Sequence, residues 1–145
     1  MLNHSPFNEK LDDCDLEKVS IFILNEVEGE QLTGSNETKG ILVELKEKFP
    51  HAEIVLTLGR EGAIYIGDGV EYYQPIFEAQ AIDTTAAGDT FTGYFLAGLT
   101  SGMEIPEVMR MSAKASAITV TRSGAVPSIP FKEEVDRALS ERISN

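Results

Sequence analysis

Residues 83–91 of the chain read Asp-Thr-Thr-Ala-Ala-Gly-Asp-Thr-Phe, and they lead from a small, polar loop into an apolar stretch with helical spacing. Small residues let a ligand approach the backbone closely, and glycine adopts angles that other residues resist. The first amide N–H groups of a helix have no partner within it, and the helix dipole adds positive charge there. We therefore predict that the backbone amides of Ala86, Ala87 and Gly88 form an anion-binding site.

Asp89 falls in the first turn of this predicted helix, directly beside the predicted anion site. A carboxylate in that position is held ionised, and it can accept a proton from a hydroxyl that attacks a bound phosphate. The residues also allow a simpler interpretation, in which Asp89 only caps the helix and the alanines are close-packed spacers. The segment is not a Walker A motif, because no lysine follows Gly88.

Short apolar runs and amphipathic stretches alternate on both sides of this segment. The apolar runs predict strands over residues 19–24, 53–58, 63–66 and 70–75. The amphipathic stretches predict helices over residues 37–49, from Asp89 to Gly102, from Pro106 onward and around residues 135–143. This order predicts an α/β fold with a partly parallel sheet, in which residues 25–28 end the first strand. So small a sheet would leave an apolar edge and face uncovered, so the sheet looks incomplete.

Composition narrows the classes of function. The 145 residues fit one domain, and the formal net charge of −12 argues against nucleic acids and anionic membranes as partners. No apolar run approaches the ~20 residues of a membrane span. The single cysteine, Cys14, cannot form a disulfide within the chain, and the first residues show no signal-peptide pattern, so we expect a cytoplasmic protein. A chain this acidic must gather positive potential locally, from helix termini, amides and metal ions.

Residues 83–93 resemble the C-terminal signature of the ribokinase, or pfkB-type, family of carbohydrate kinases. Three further stretches resemble motifs of that family in the same order. Residues 25–28 are similar to its Asn-x-x-Glu motif, residues 57–62 to its nucleotide-binding turn, and residues 121–130 to a loop of ribokinases proper. Residues 3–6 resemble a degenerate form of its Asn-Pro-Ala-Pro motif.

The resemblance implies a partial ribokinase-like, Rossmann-type α/β sandwich. Residues 1–145 would be the C-terminal, nucleotide-binding half of the kinase domain, and the N-terminal half with its lid would be absent. The cofactors implied are ATP, Mg²⁺ and a monovalent cation such as K⁺. Because the sugar contacts and the lid of the family lie in the missing half, we expect little activity from this chain alone.

The resemblance also implies roles for individual residues. Asp89 would be the catalytic base, and the amides of Ala86, Ala87 and Gly88 would stabilise charge on the transferring phosphoryl group. Glu28 would hold Mg²⁺ through water. Contacts to the nucleotide would come from Asn25, Thr57, Gly59, Gly62, Gly88 and Asp89. A monovalent cation would be held, in several cases through carbonyl oxygens, by Asp83, Thr85, Thr119, Arg122, Gly124 and Ser128.

The function that follows is ATP-dependent phosphoryl transfer to a sugar hydroxyl. Ribose is the first expectation for the sugar, because residues 121–130 look most like ribokinase. The expected partners are a nucleotide, a small sugar and either the missing half or a second copy of the chain. The alternative is a non-catalytic, self-associating nucleotide-binding or structural fragment. Residues 25–28 could then be a plain turn, residues 57–62 a plain connection, and Arg122 a surface cation at a helix end.

Overall fold

The computed structural model describes residues 16–124 and 128–143. Within these residues the chain forms two compact units, divided between Tyr73 and Gln74, where the sequence predicts one domain. The predictions for residues 3–6 and for Cys14, and the middle of the 121–130 loop, lie outside the described residues. In the part of the chain that is described, no helix is both long and apolar enough to span a membrane.

The first unit is a small sheet with two helices. Its strands and helices are β1 (Ile21–Asn25), α1 (Glu26–Thr33), α2 (Thr38–Lys48), β2 (Glu53–Thr57), β3 (Ala63–Gly67) and β4 (Val70–Gln74). The sheet has the order β1-β2-β3-β4, with β1 parallel to β2 and β2 antiparallel to β3, as the prediction of a partly parallel sheet requires. The turn between β3 and β4 has positive φ at Asp68 and Gly69, the pattern of a tight hairpin turn.

The core of the first unit lies between the sheet and α2. Phe22 of β1 and Ile54 and Leu56 of β2 are fully buried and belong to one cluster with Ile41 and Leu45 of α2. Their spacing explains the elements, because alternate strand residues and helix residues three or four apart point to the same side. Burial of these side chains therefore fixes the strand ends that carry Asn25 and Thr57.

The second unit consists of three helices, α3 (Ala87–Thr100), α4 (Ile105–Val120) and α5 (Lys132–Ile143). Helix α3 packs closely on α4, because a Cβ added at Gly98 would lie 2.8 Å from the side chain of Val108. Val135 of α5 is fully buried against Met111 and Ala115 of α4. All the predicted helices are present. Helix α4 covers one side of α3.

Helix α1 is the main difference between the prediction and the structure. Residues 25–28 were expected only to end the first strand, but Glu26 begins a helix of eight residues there. The side chains of Asn25 and Glu28 form a capping box, which satisfies backbone donors at the start of the helix. The spacing Asn-x-x-Glu is itself a helix-start signal, although in the sequence a plain turn is the simpler alternative for these residues.

Candidate functional site

The N-terminus of α3 is open. Ala86 is the N-cap, and its side chain makes no capping hydrogen bond. Among the described residues, the backbone N–H groups of Ala86, Gly88 and Asp89 have no hydrogen-bond partner, whereas that of Ala87 donates to the Thr84 carbonyl at 3.3 Å. Of the predicted anion-site amides, the Ala87 amide is therefore engaged in a turn. The Ala86 and Gly88 amides have no partner among the described residues, and Gly88 is exposed whereas Ala86 is only 5% exposed.

Gly88 and Asp89 lie at the surface of this helix end. A Cβ added at Gly88 would meet no atom within 4 Å, so the space beside its Cα is open. In the described part of the chain, the exposed Asp89 carboxylate has no hydrogen bond or ion pair. The simpler interpretation of Asp89 as a helix cap is therefore wrong for this structure, because the side chain caps nothing.

Asp89 stands at one end of a groove that follows α3. The cavity has a volume of about 420 Å³. Its lining is mostly apolar and includes Gly93, Tyr94, Ala97, Met103 and Ile129. The Tyr94 hydroxyl donates to the Pro130 carbonyl at 2.7 Å and holds the wall of the groove in place.

The Asp83 carboxylate ties the start of this segment to the end of α4. Its Oδ1 accepts hydrogen bonds from the Thr85 hydroxyl and from the Thr85 amide, the latter at 2.9 Å. Its Oδ2 accepts from the Gly124 amide at 3.2 Å. These bonds, led by that from the Thr85 hydroxyl, lower the pKa of Asp83. The structure thus brings together Asp83, Thr85 and Gly124 of the predicted cation site.

Thr119 and Arg122, two of the other predicted cation ligands, use their side chains elsewhere. The fully buried Thr119 hydroxyl lies 3.0 Å from both Thr90 Oγ1 and the Ala115 carbonyl. The Arg122 guanidinium pairs with Glu134 at 2.5 Å, and this bond lowers the pKa of Glu134. Ser128 is buried. Any part of Thr119 or Arg122 in a cation site would therefore run through main-chain carbonyls.

In the first unit, Asn25 and Glu28 bind each other's backbone. Asn25 Oδ1 accepts from the Glu28 amide at 2.8 Å, and Glu28 Oε2 accepts from the Asn25 amide at 2.9 Å. Glu28 is only 4% exposed, and its second oxygen, Oε1, is buried with no partner among the described residues. Burying a carboxylate oxygen without a hydrogen-bond donor costs free energy, so the burial of Oε1 favours a bound ligand at this position.

Thr57 lies directly opposite Asn25 in the parallel pair of β1 and β2. Both residues therefore sit at the carboxyl ends of their strands, the edge at which parallel α/β sheets bind ligands. The turn after β2 depends on glycine, because φ is +56° at Gly59 and +104° at Gly62. Its backbone is closed by a bond from the Leu58 amide to the Gly62 carbonyl at 2.8 Å.

The described residues contain no group of three or more His, Cys, Asp or Glu that could hold a metal ion.

The sequence does not reveal a set of hydroxyl groups that support the start of α3. Ser116 donates to the Ala87 carbonyl at 3.1 Å, and Thr90 donates to the Ala86 carbonyl at 2.8 Å. Ser116 and Ala87 are 29 positions apart, so no local pattern could have revealed the contact.

Known proteins match this chain in sequence and in structure. The family model described as pfkB family carbohydrate kinase matches residues 1–132. Ribokinase from Haemophilus influenzae is 36% identical over 138 residues, which are 92% of this chain and 45% of that protein. The chain therefore spans less than half the length of this relative.

Solved structures agree with the sequence match. Ribokinase from Cryptococcus neoformans in complex with ADP gives a TM-score of 0.82 at 31% identity, covering 92% of this chain and 49% of that one. Arabidopsis thaliana ribokinase complexed with ribose and ATP gives 0.78 at 30% identity, covering 84% of this chain and 41% of that one. The predicted α/β fold of the ribokinase type is confirmed for the part of that fold that the chain covers.

Proposed function

The chain belongs to the pfkB family of carbohydrate kinases, and from this premise we propose that it carries the nucleotide-binding and catalytic residues for ATP-dependent phosphoryl transfer to a sugar hydroxyl. In this proposal residues 1–145 correspond to the C-terminal half of the kinase domain. The observation that carries the proposal is the open N-terminus of α3, where the Gly88 and Asp89 amides and the Asp89 carboxylate have no partner in the described part of the chain.

The amides at the start of α3 act on the phosphate. Gly88 donates its N–H to an oxygen of the transferring phosphoryl group, and the positive end of the helix dipole stabilises the charge that develops there. The amide of Ala86 adds a second donor. Ala87 contributes only when its long bond to Thr84, at 3.3 Å, is given up.

Asp89 is the general base. Its carboxylate accepts the proton of the sugar hydroxyl while the sugar oxygen forms a bond to the γ-phosphorus. The bond from that phosphorus to the oxygen bridging to the β-phosphate breaks, and ADP leaves. The lack of any hydrogen-bond partner among the described residues leaves the Asp89 carboxylate available for this proton.

In the first unit, we propose that Glu28 holds Mg²⁺ through water and that Asn25, Thr57, Gly59 and Gly62 contact the nucleotide. Glu28 Oε1, which is buried and has no partner within residues 16–124 and 128–143, supports this, because Mg²⁺ prefers oxygen ligands and keeps several of its waters. When bound, Mg²⁺ neutralises phosphate charge.

A monovalent cation such as K⁺ forms part of the proposal. The ionised carboxylate of Asp83, with its pKa lowered by bonds from Thr85 and Gly124, supplies negative charge next to the loop that precedes α3. The carbonyls of Thr119, Arg122 and Ser128 complete the proposed set. The cation would then stabilise the contact between the loop before α3 and the residues after α4, which the Asp83 carboxylate already joins.

Ribose is the proposed sugar, supported by the ribokinase relative and by a similar ribokinase that was solved with ribose and ATP. The single cysteine supports a cytoplasmic location for the proposed kinase. We further propose that the chain acts with a second copy of itself or with the N-terminal half of the kinase fold.

Calorimetric titration of Mg·ATP into the chain tests the proposal. The wild-type chain, Asp89→Asn and the control Glu107→Gln, an exposed first-turn acid of α4, should bind Mg·ATP with similar affinity. Any ribose phosphorylation should fall by about 10²–10⁴ in Asp89→Asn only. Absence of binding at millimolar nucleotide, or undiminished turnover in Asp89→Asn, would overturn the proposal.

One observation favours the alternative of a self-associating, non-catalytic fragment. A groove in the first unit is lined by Leu42, Val43, Ile64 and Ile66 together with charged side chains such as Lys39, and Val43 is 49% exposed. Exposed apolar surface of this kind promotes association. Under this alternative, light scattering detects a stable oligomer, while the calorimeter detects no heat from Mg·ATP.

A further inference from the structure

A side chain of helix α4 forms a hydrogen bond to the first turn of α3. The Ser116 hydroxyl donates to the Ala87 carbonyl at 3.1 Å. That carbonyl and the Gly88 N–H belong to the same planar peptide unit and point in opposite directions. A hydrogen bond that fixes the carbonyl therefore also fixes the direction of the Gly88 N–H.

The preceding peptide unit is held in a similar way. The Thr90 hydroxyl donates to the Ala86 carbonyl at 2.8 Å, and the Thr119 hydroxyl lies 3.0 Å from Thr90 Oγ1. Thr90 is 2% exposed and Thr119 is fully buried, so water does not compete for these bonds. Two successive peptide units at the open helix end are thus supported by hydroxyl groups, and α4 supplies two of the three.

We propose that Ser116 is a positioning residue for the anion-binding peptide Ala87–Gly88. Ser116 touches no ligand in this proposal. It directs the Gly88 N–H outward and polarises it, because a donor on the carbonyl strengthens the hydrogen bond that the same peptide gives on its other side. The inference deepens the proposed function and rests on it.

The Ser116 bond differs from ordinary hydroxyl bonds in the same helix. One turn earlier, the fully buried Ser112 donates to the Val108 carbonyl at 2.8 Å, which is a bond within α4. This bond stays within α4 and does not reach the peptide units at the start of α3. Ser112→Ala is therefore a matched control for Ser116→Ala. Both variants remove one serine hydroxyl from α4, but only Ser116→Ala removes a hydrogen bond from α4 to α3.

The first readout is the amide spectrum of the ¹⁵N-labelled chain without ligand. The ¹⁵N shift of an amide responds to hydrogen bonding at the carbonyl of its own peptide unit. We expect the Gly88 resonance to move in Ser116→Ala and to stay in place in Ser112→Ala and Ser116→Thr, which retains the hydroxyl. An unmoved Gly88 resonance in Ser116→Ala, or an equal movement in Ser112→Ala, overturns the proposal.

The second readout is a titration of the same samples with inorganic phosphate. Loss of one neutral hydrogen bond behind the amide should weaken phosphate binding about three- to tenfold in Ser116→Ala, and Ser116→Thr should restore the affinity. Equal affinity in Ser116→Ala and the wild-type chain overturns the inference. If phosphate moves no amide in any sample, the proposed function fails, while the spectra without ligand still decide whether Ser116 positions Gly88.

Thermal melting checks that the variants are folded. Should Ser116→Ala not fold, Ser116→Cys takes its place, since a thiol has a similar size and is only a weak donor. The expected result for Ser116→Cys is the same displacement of Gly88 and the same loss of phosphate affinity. An unchanged Gly88 resonance and unchanged phosphate affinity in this variant contradict the proposal.

Discussion

Two helices of this protein begin in opposite ways. Helix α1 begins at Asn25, whose extended backbone and side chain form a capping box with Glu28. Helix α3 begins at Ala86, which offers no side-chain acceptor to the amides that follow. The amides of the N-cap and of the third helix residue are therefore satisfied by the capping box in α1, whereas those of Ala86 and Asp89 in α3 have no partner among the described residues.

Glu28 and Asp89 occupy equivalent positions, because each is the third residue of its helix. Glu28 reaches back to the amide of its N-cap at 2.9 Å, whereas Asp89 has a side chain one methylene shorter and binds no backbone group among the described residues. Replacing an N-cap such as Asn by Ala typically costs about 0.5–2 kcal/mol. An uncapped α3 forgoes stabilisation of this size, and under our proposal the open amides bind phosphate instead.

The largest effect on this comparison is expected from Gly88→Ala. The substitution should leave the free energy of unfolding unchanged or raise it by up to about 1 kcal/mol, because alanine favours a helix and the space is empty. A methyl group beside the open amides should weaken Mg·ATP binding about tenfold, the loss of one bond to a charged oxygen. Urea unfolding and calorimetry measure the two quantities.

Gly93→Ala is the control for this variant. It lies in the same helix, and an added Cβ there also meets no atom within 4 Å. It should raise stability by a similar amount and leave Mg·ATP binding unchanged. If Gly88→Ala binds Mg·ATP as well as Gly93→Ala does, the open end of α3 is not the phosphate site.

A smaller effect is expected at the closed helix end. Asn25→Ala removes the acceptor of the Glu28 amide and should lower the free energy of unfolding by about 1 kcal/mol, as measured by urea unfolding without nucleotide. Asn25→Ser, which restores a capping oxygen, should recover most of this loss. Equal stability of Asn25→Ala and the wild-type chain would show that the capping box does not close α1.

The smallest effect concerns pH and the loop before α3. The pKa of Asp83 lies below its ordinary value of 3.8 in the folded chain, chiefly because the Thr85 hydroxyl donates to the carboxylate. The ionised form therefore favours folding above about pH 4, and this contribution is lost as the pH falls through the folded-state pKa. The stability difference between the wild-type chain and Asp83→Asn should shrink between pH 6 and pH 3.

Thr85→Val makes this measurement more specific, because it removes the Thr85 hydroxyl, whose hydrogen bond is the leading cause of the lowered pKa of Asp83. A ¹³C titration should give a higher pKa for Asp83 in Thr85→Val than in Thr84→Val, the neighbouring control. A stability difference that is independent of pH, or equal pKa values in the two variants, would show that these bonds do not hold the carboxylate.

Much of the fold could be predicted from the sequence. The buried strands and amphipathic helices were found because apolar spacing records which side of each element is covered, as with Ile41 and Leu45 of α2. Helix α1 was missed because its apolar pattern is weak and its start depends on a polar pair, Asn25 and Glu28. The division at Tyr73 was also missed, since it depends on contacts between distant parts of the chain.

The candidate site was predictable only where it is local in sequence. Residues 83–91 indicate the helix end with Gly88 and Asp89, because small residues before a helix let a ligand approach the backbone amides closely. The engagement of the Ala87 amide with Thr84 could not be predicted, since it depends on the conformation of the turn. The support from Ser116 joins positions 29 residues apart and needed the structure.

A crystal structure of the chain grown with saturating Mg²⁺ and a non-hydrolysable ATP analogue tests the central claim most directly. The measured quantity is the distance from the Gly88 amide nitrogen to the nearest oxygen of the terminal phosphate. Our account predicts about 2.7–3.2 Å, with the Asp89 carboxylate facing the same phosphate. A nucleotide bound with its terminal phosphate elsewhere, and the amides of α3 still facing solvent, would contradict the account.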